Sequence, residues 1–143
     1  MTMNYAQDFY GWTQEQAALL RAGRLSELDV GNLLEEVEAM GRGERKELAS
    51  RLEVLLTHLL KWRFQPARRG NSWRSTIKEQ RKRIADHVAE NPSLLASLEE
   101  IFAKAYGYAV DAAERETGLD ANTFPTECPW TFAETINEDF WPE

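Results

Sequence analysis

A single cysteine, Cys128, stands in a chain of 143 residues, so no disulfide can close within it. That excludes the small secreted folds that staple a thin core, and it suits a reducing compartment such as the cytoplasm. Histidine is also scarce: only His58 and His87 are present, little material for a metal site that needs three or four ligands. Long hydrophobic runs are missing too. The most apolar stretch, residues 54–60, is interrupted by Thr57 and His58, and it falls far short of the roughly 20 residues a bilayer requires. The first residues hold neither a basic cluster nor an apolar run, so they do not read as a secretion signal. Apolar–polar alternation never lasts beyond a few residues, which removes the evidence for strands. A soluble, cytoplasmic protein without a membrane partner is expected.

What the chain does contain is unevenly distributed charge. Thirteen of its seventeen basic residues fall in residues 42–83 beside four acids, a local net charge of +9. Residues 1–41 carry −5 and residues 84–143 carry −11, for −7 in all. An acidic protein is repelled by nucleic acid and by anionic lipid unless such a belt forms a face of its own. Pairing of the belt with its acidic surroundings is therefore the expected outcome, through Glu35, Glu36, Glu38, Glu99, Glu100 or the acidic tail.

Apolar residues recur at helical spacing in every long segment. Thr13 and Gln16 have capping-box spacing and open a first helix that Gly23 closes. A second helix spans residues 29–40, with Val30, Leu33, Val37 and Met40 in one stripe; Gly41 and Gly43 then turn the chain. A third spans residues 44–63 and carries Leu48, Leu52, Leu55, Leu59 and Trp62. The fourth, capped by Asn71 or Ser72, ends before Pro92 and presents Trp73, Ile77, Ile84 and Val88, with Gln80 in the same stripe. The fifth occupies residues 92–116 and stops at Gly118. Thr131 and Glu134 repeat the capping-box spacing for a short last helix. Phe124, Trp130, Phe132, Phe140 and Trp141 are too apolar for a free tail, and docking on the bundle or on another subunit is expected. Residues 1–143 thus read as one all-α domain, a single bundle of about five helices with an irregular aromatic C-terminal segment.

Four phrases carry a family likeness. Asp8-Phe9-Tyr10-Gly11-Trp12, Leu33-Leu34-Glu35-Glu36-Val37-Glu38-Ala39-Met40-Gly41, His58-Leu59-Leu60-Lys61-Trp62 and Ser72-Trp73-Arg74-Ser75-Thr76-Ile77, in that order, resemble the bacterial domain-of-unknown-function family numbered twenty-nine. The resemblance covers residues 5–143 and implies a small all-helical bacterial protein. It brings no assigned activity, and so it carries no catalytic residue to this chain.

Two groups of side chains have chemistry to offer. Glu36 and His58 lie at the margins of their stripes, and antiparallel second and third helices would bring those margins face to face. Such a pair serves as a structural hydrogen bond or, less simply, as the centre of an acid–base or metal-dependent enzyme. Arg74, Lys78 and Arg81 share one flank of the fourth helix beside Trp73, near Arg68 and Arg69 in the preceding loop. That belt, residues 68–83, is a candidate grip for phosphates or nucleic acid, although the overall negative charge disfavours it. No metal set and no cofactor motif emerge, and Cys128 reads as a packing residue. The function favoured on these grounds is a non-catalytic interaction or regulatory module that forms a homo-oligomer or binds a protein partner, with nucleic acid a less favoured partner.

Overall fold

The computed structural model describes residues 4–143. Five α-helices and no strand occur among the described residues: α1 (Phe9–Arg21), α2 (Val30–Phe64), α3 (Asn71–Glu90), α4 (Leu98–Thr117) and α5 (Phe132–Ile136). Short 3-10 turns join them. The chain divides into two compact units, Met1–Gly43 and Glu44–Glu143.

The largest departure from the expected elements is α2. The helices expected over residues 29–40 and 44–63 are one helix of 35 residues, and Gly41 and Gly43 lie inside it. A glycine in a helix interior costs only about 1 kcal/mol relative to alanine, and the good helix formers on both sides outweigh it. Neither glycine has a positive φ; only Gly23 (72°) and Gly118 (74°) do, and these are the two that end α1 and α4.

In the Met1–Gly43 unit, α1 begins four residues before the expected Thr13. Asp8 caps it, accepting the Gly11 amide at 2.9 Å. A Cβ on residue 11 would sit 2.8 Å from the Asp8 carboxyl carbon, so glycine there leaves room for the carboxylate as it is placed. Trp12 is the buried anchor: its indole donates to Asp29 at 2.9 Å, while Tyr5 and Phe9 pack their rings against it. Gln16, also buried, accepts the Asp29 amide at 2.8 Å. Hydrogen bonds from Asn32 and Trp12 hold the Asp29 carboxyl below the usual carboxylate range.

In the Glu44–Glu143 unit, Leu48, Leu52, Leu55, Leu56, Leu59 and Leu60 of α2 are wholly buried with Ile77 and Ile84 of α3. Ala105, Ala109 and Ala113 of α4 close the same core, their small side chains permitting a near approach. Gly70, not Asn71 or Ser72, stands at the start of α3, and Asn71 instead accepts from Arg74 at 2.8 Å. Thr131 and Glu134 form the expected reciprocal cap on α5. The aromatic tail docks on the bundle. Trp141 packs on Trp62 at 4.7 Å between ring centres, and Phe132 meets Phe102 edge-on at 6.1 Å. Tyr106 donates to the Pro125 carbonyl at 2.6 Å, and burial pushes its phenol up to about 12.

Candidate functional site

Exposed apolar surface is concentrated in the Met1–Gly43 unit. Among the described residues, eight of the eleven exposed large apolar side chains belong to residues 9–40. Leu33, Glu36 and Met40 on α2 line a groove with Phe9, Trp12 and Leu20 of α1. Val30, Leu34 and Val37, four and three apart, form a neighbouring row that is 65%, 57% and 57% exposed. A stripe at this spacing is what a helix normally hides against another element. Beside it, Glu35, Glu38 and Arg42 form a second row, three and four apart, and neither Glu38 nor Arg42 has an ion-pair partner among the described residues.

The expected apposition of Glu36 and His58 does not occur. The continuous α2 carries both residues, so the turn that would have made their margins face one another is missing. Glu36 instead accepts the Tyr5 hydroxyl, which with burial and the nearby Glu35 and Asp29 charges raises that phenol to about 12. His58 Nδ1 donates to the Val54 carbonyl one turn back at 2.8 Å. Burial lowers its pKa from the ordinary 6.5. A base so depressed stabilises the fold above its unfolded-state pKa, and that contribution disappears as pH falls through the folded-state value. An NMR titration of the His58 ring should therefore give a midpoint below 6.5; a midpoint at or above that value contradicts the burial argument.

Two of the basic residues, Arg81 and Arg69, hold the C-terminal segment. Arg81 is 1% exposed. Its Nε donates to the Thr135 carbonyl at 2.8 Å and its Nη2 to the Phe140 carbonyl at 2.6 Å, with the guanidinium 5.3 Å from the Trp141 ring centre. Arg69 donates to the Trp62 carbonyl at 2.7 Å and more weakly to that of Pro142 at 3.4 Å. Arg69 and Arg74 both lie over Trp62, 5.1 and 5.5 Å from its centre. Trp73 is partly buried under the Lys61 ammonium at 5.0 Å, and Lys61 pairs with Glu116 at 2.9 Å. Of the expected acidic partners, Glu100 takes Arg45 at 3.8 Å. Among the described residues, Glu35, Glu36, Glu38 and Glu99 take none of the cations; Arg51 and Arg83 pair with Glu47 and Glu79 one turn away, and Arg69 and Arg81 hold carbonyls. Gln80 accepts from Arg51 at 3.4 Å.

Arg74, Lys78, Arg81 and Lys82 line a groove of about 710 Å³ with Trp141, but Glu79, Glu138 and Asp139 share it. Arg68 stays exposed outside that groove. The structure thus brings together three of the six residues singled out for binding and gives them three carboxylate neighbours. Cys128 is partly buried against the core, and that burial raises its thiol pKa, opposing thiolate formation.

One constellation had no signal in the sequence. His87, 5% exposed near the end of α3, has both ring nitrogens beside Glu44 and Glu47 of α2. Nothing local to His87 announces partners some forty positions earlier.

No helix among the described residues is long and apolar enough to cross a membrane. No curated protein and no solved structure matches the chain. Residues 4–141 match the family described as "Domain of unknown function DUF29", and the chain, with its all-α fold, belongs to that family.

Proposed function

We propose that the protein is a non-catalytic interaction module whose Met1–Gly43 unit pairs with the same unit of a second copy. The observation that carries this reading is the uncovered row Val30, Leu34 and Val37. Burying each such side chain is worth roughly 1.5–3 kcal/mol, a strong incentive for association. Charge selects the partner. The adjoining row runs acid, acid, base along α2, from Glu35 and Glu38 to Arg42. A two-fold axis reverses that order in the facing copy, so Arg42 of each chain meets a carboxylate of the other. Two paired hairpins also supply four helices around one apolar seam, a stable packing arrangement. A bacterial, cytoplasmic setting belongs to this reading, supported by the lone, partly buried Cys128.

Light scattering on the purified chain should give twice the monomer mass at micromolar concentration. Leu34→Glu combined with Val37→Glu should give the monomer mass with unchanged helical circular dichroism. A wild-type mass that stays monomeric across that range overturns the proposal.

Nothing observed favours the enzyme reading centred on Glu36 and His58, whose hydrogen-bond partners are Tyr5 and the Val54 carbonyl. The nucleic-acid reading retains Arg68, Lys78 and Lys82 as exposed cations, against the carboxylates that share their groove.

A further inference from the structure

We propose that Glu44, Glu47 and His87 form a binding site for a divalent first-row transition-metal ion of the zinc type. Glu44 and Glu47 are three apart on α2, so their side chains reach from adjacent points of one helical edge. His87 approaches from the last turn of α3. One donor atom from each residue lies within 4.8 Å of the others, a combination found nowhere else among the described residues. Nδ1 is 2.6 Å from Glu47 Oε2, and Nε2 is 3.4 Å from Glu44 Oε2.

The hydrogen-bond inventory around the ring sharpens the point. Nε2 also lies 3.0 Å from the Glu44 backbone carbonyl, which has no proton to give. Nε2 therefore carries the hydrogen of that bond and donates it. The position open to a metal is Nδ1, directly against the Glu47 carboxylate; the exposed Glu44 carboxylate, 3.4 Å from Nε2, joins the set by turning toward Nδ1. A ring whose outer nitrogen is tied to a carbonyl is how histidine is oriented behind a bound metal, the carbonyl setting both tautomer and plane. Burial on the histidine side and exposure of the two glutamates, 51% and 46% at their side chains, leave an entry path from solvent. Among the described residues, Arg51, 3.8 Å from Glu47, is the one other cation that competes for that carboxylate.

Donor chemistry selects the class of ion. One imidazole nitrogen and two carboxylates suit zinc, manganese, iron or cobalt in the divalent state. Magnesium and calcium prefer oxygen alone, and copper(I) prefers sulfur. Three protein donors leave a fourth position for water. An ion held here ties the Glu44 end of the second unit's α2 segment to the C-terminal end of α3.

The test is equilibrium dialysis of the full chain, freed of metal by a chelator, against zinc chloride with magnesium in excess. One zinc per chain is expected, together with a rise in melting temperature and, with cobalt substituted, visible absorption of a tetrahedral N/O site. Glu44→Gln, Glu47→Gln and His87→Gln should each weaken zinc binding at least about tenfold, while His58→Gln should not. The two glutamates are exposed, so their variants remain informative if His87→Gln fails to fold. Zinc far below one per chain, displacement by magnesium, or unaltered binding in Glu44→Gln and Glu47→Gln overturns the site and leaves His87 as a hydrogen-bonded staple.

Discussion

Arg81→Ala is expected to destabilise the chain by roughly 2–6 kcal/mol, the cost of leaving two buried carbonyls without their donor. The side chain is among the largest fully buried ones, yet it is cationic. What keeps it there is geometry: a planar fork delivers one hydrogen bond to Thr135 and another to Phe140 and lays its face on Trp141. Burial lowers its pKa and the nearby Glu138 opposes that shift, so the ion is kept by its contacts and not by solvent. Truncation strands two carbonyls under the tail, at about 1–3 kcal/mol each if water does not reach them. Arg81→Lys should recover part of the loss, since an ammonium keeps the charge but cannot span two divergent acceptors. Urea unfolding measures the stability, and hydrogen exchange at residues 137–141 reports the tail. A change under about 0.5 kcal/mol with unaltered exchange would show that the tail is held by its aromatics alone.

Leu59→Ala should cost about 2–5 kcal/mol by leaving a cavity in a close-packed interior. Leu59 is 0% exposed near the C-terminal end of α2 and belongs to the core cluster of the Glu44–Glu143 unit. Val54→Ala on the same helix is the matched control: Val54 is 37% exposed and should change stability by about 0.5 kcal/mol or less. Similar losses at both positions would mean that α2 does not bury the face assigned to it.

Much of the fold is legible in short stretches of the chain. The row Leu48, Leu52, Leu55, Leu59 and Trp62 lines up within a few turns, and each member is buried. Gly118 adopts the left-handed conformation expected of a helix stop, and Thr131 with Glu134 makes the reciprocal cap its spacing suggests. Gly41 and Gly43 misled because a glycine pair permits a turn without requiring one. Asp8, not Thr13, caps α1, its carboxylate accepting the Gly11 amide.

The candidate sites were less legible. Arg81 and its helix neighbours Arg74 and Lys78 are alike in sequence, all cations on one flank. Only Arg81 lies under the returning tail, and this contact separates a buried anchor from an exposed charge. His87 carries no sign of Glu44 and Glu47, since forty-odd intervening residues set their meeting.

Sequence alone determined the all-α class, the family membership, the periodic core rows and most helix ends, because these depend on interactions within one or two turns. Tertiary structure alone decided that Arg69 and Arg81 hold backbone carbonyls of the C-terminal segment, and that a buried histidine meets two acids. Those outcomes depend on contacts between segments distant along the chain. Their energies are set by geometry and desolvation, which residue order does not encode locally.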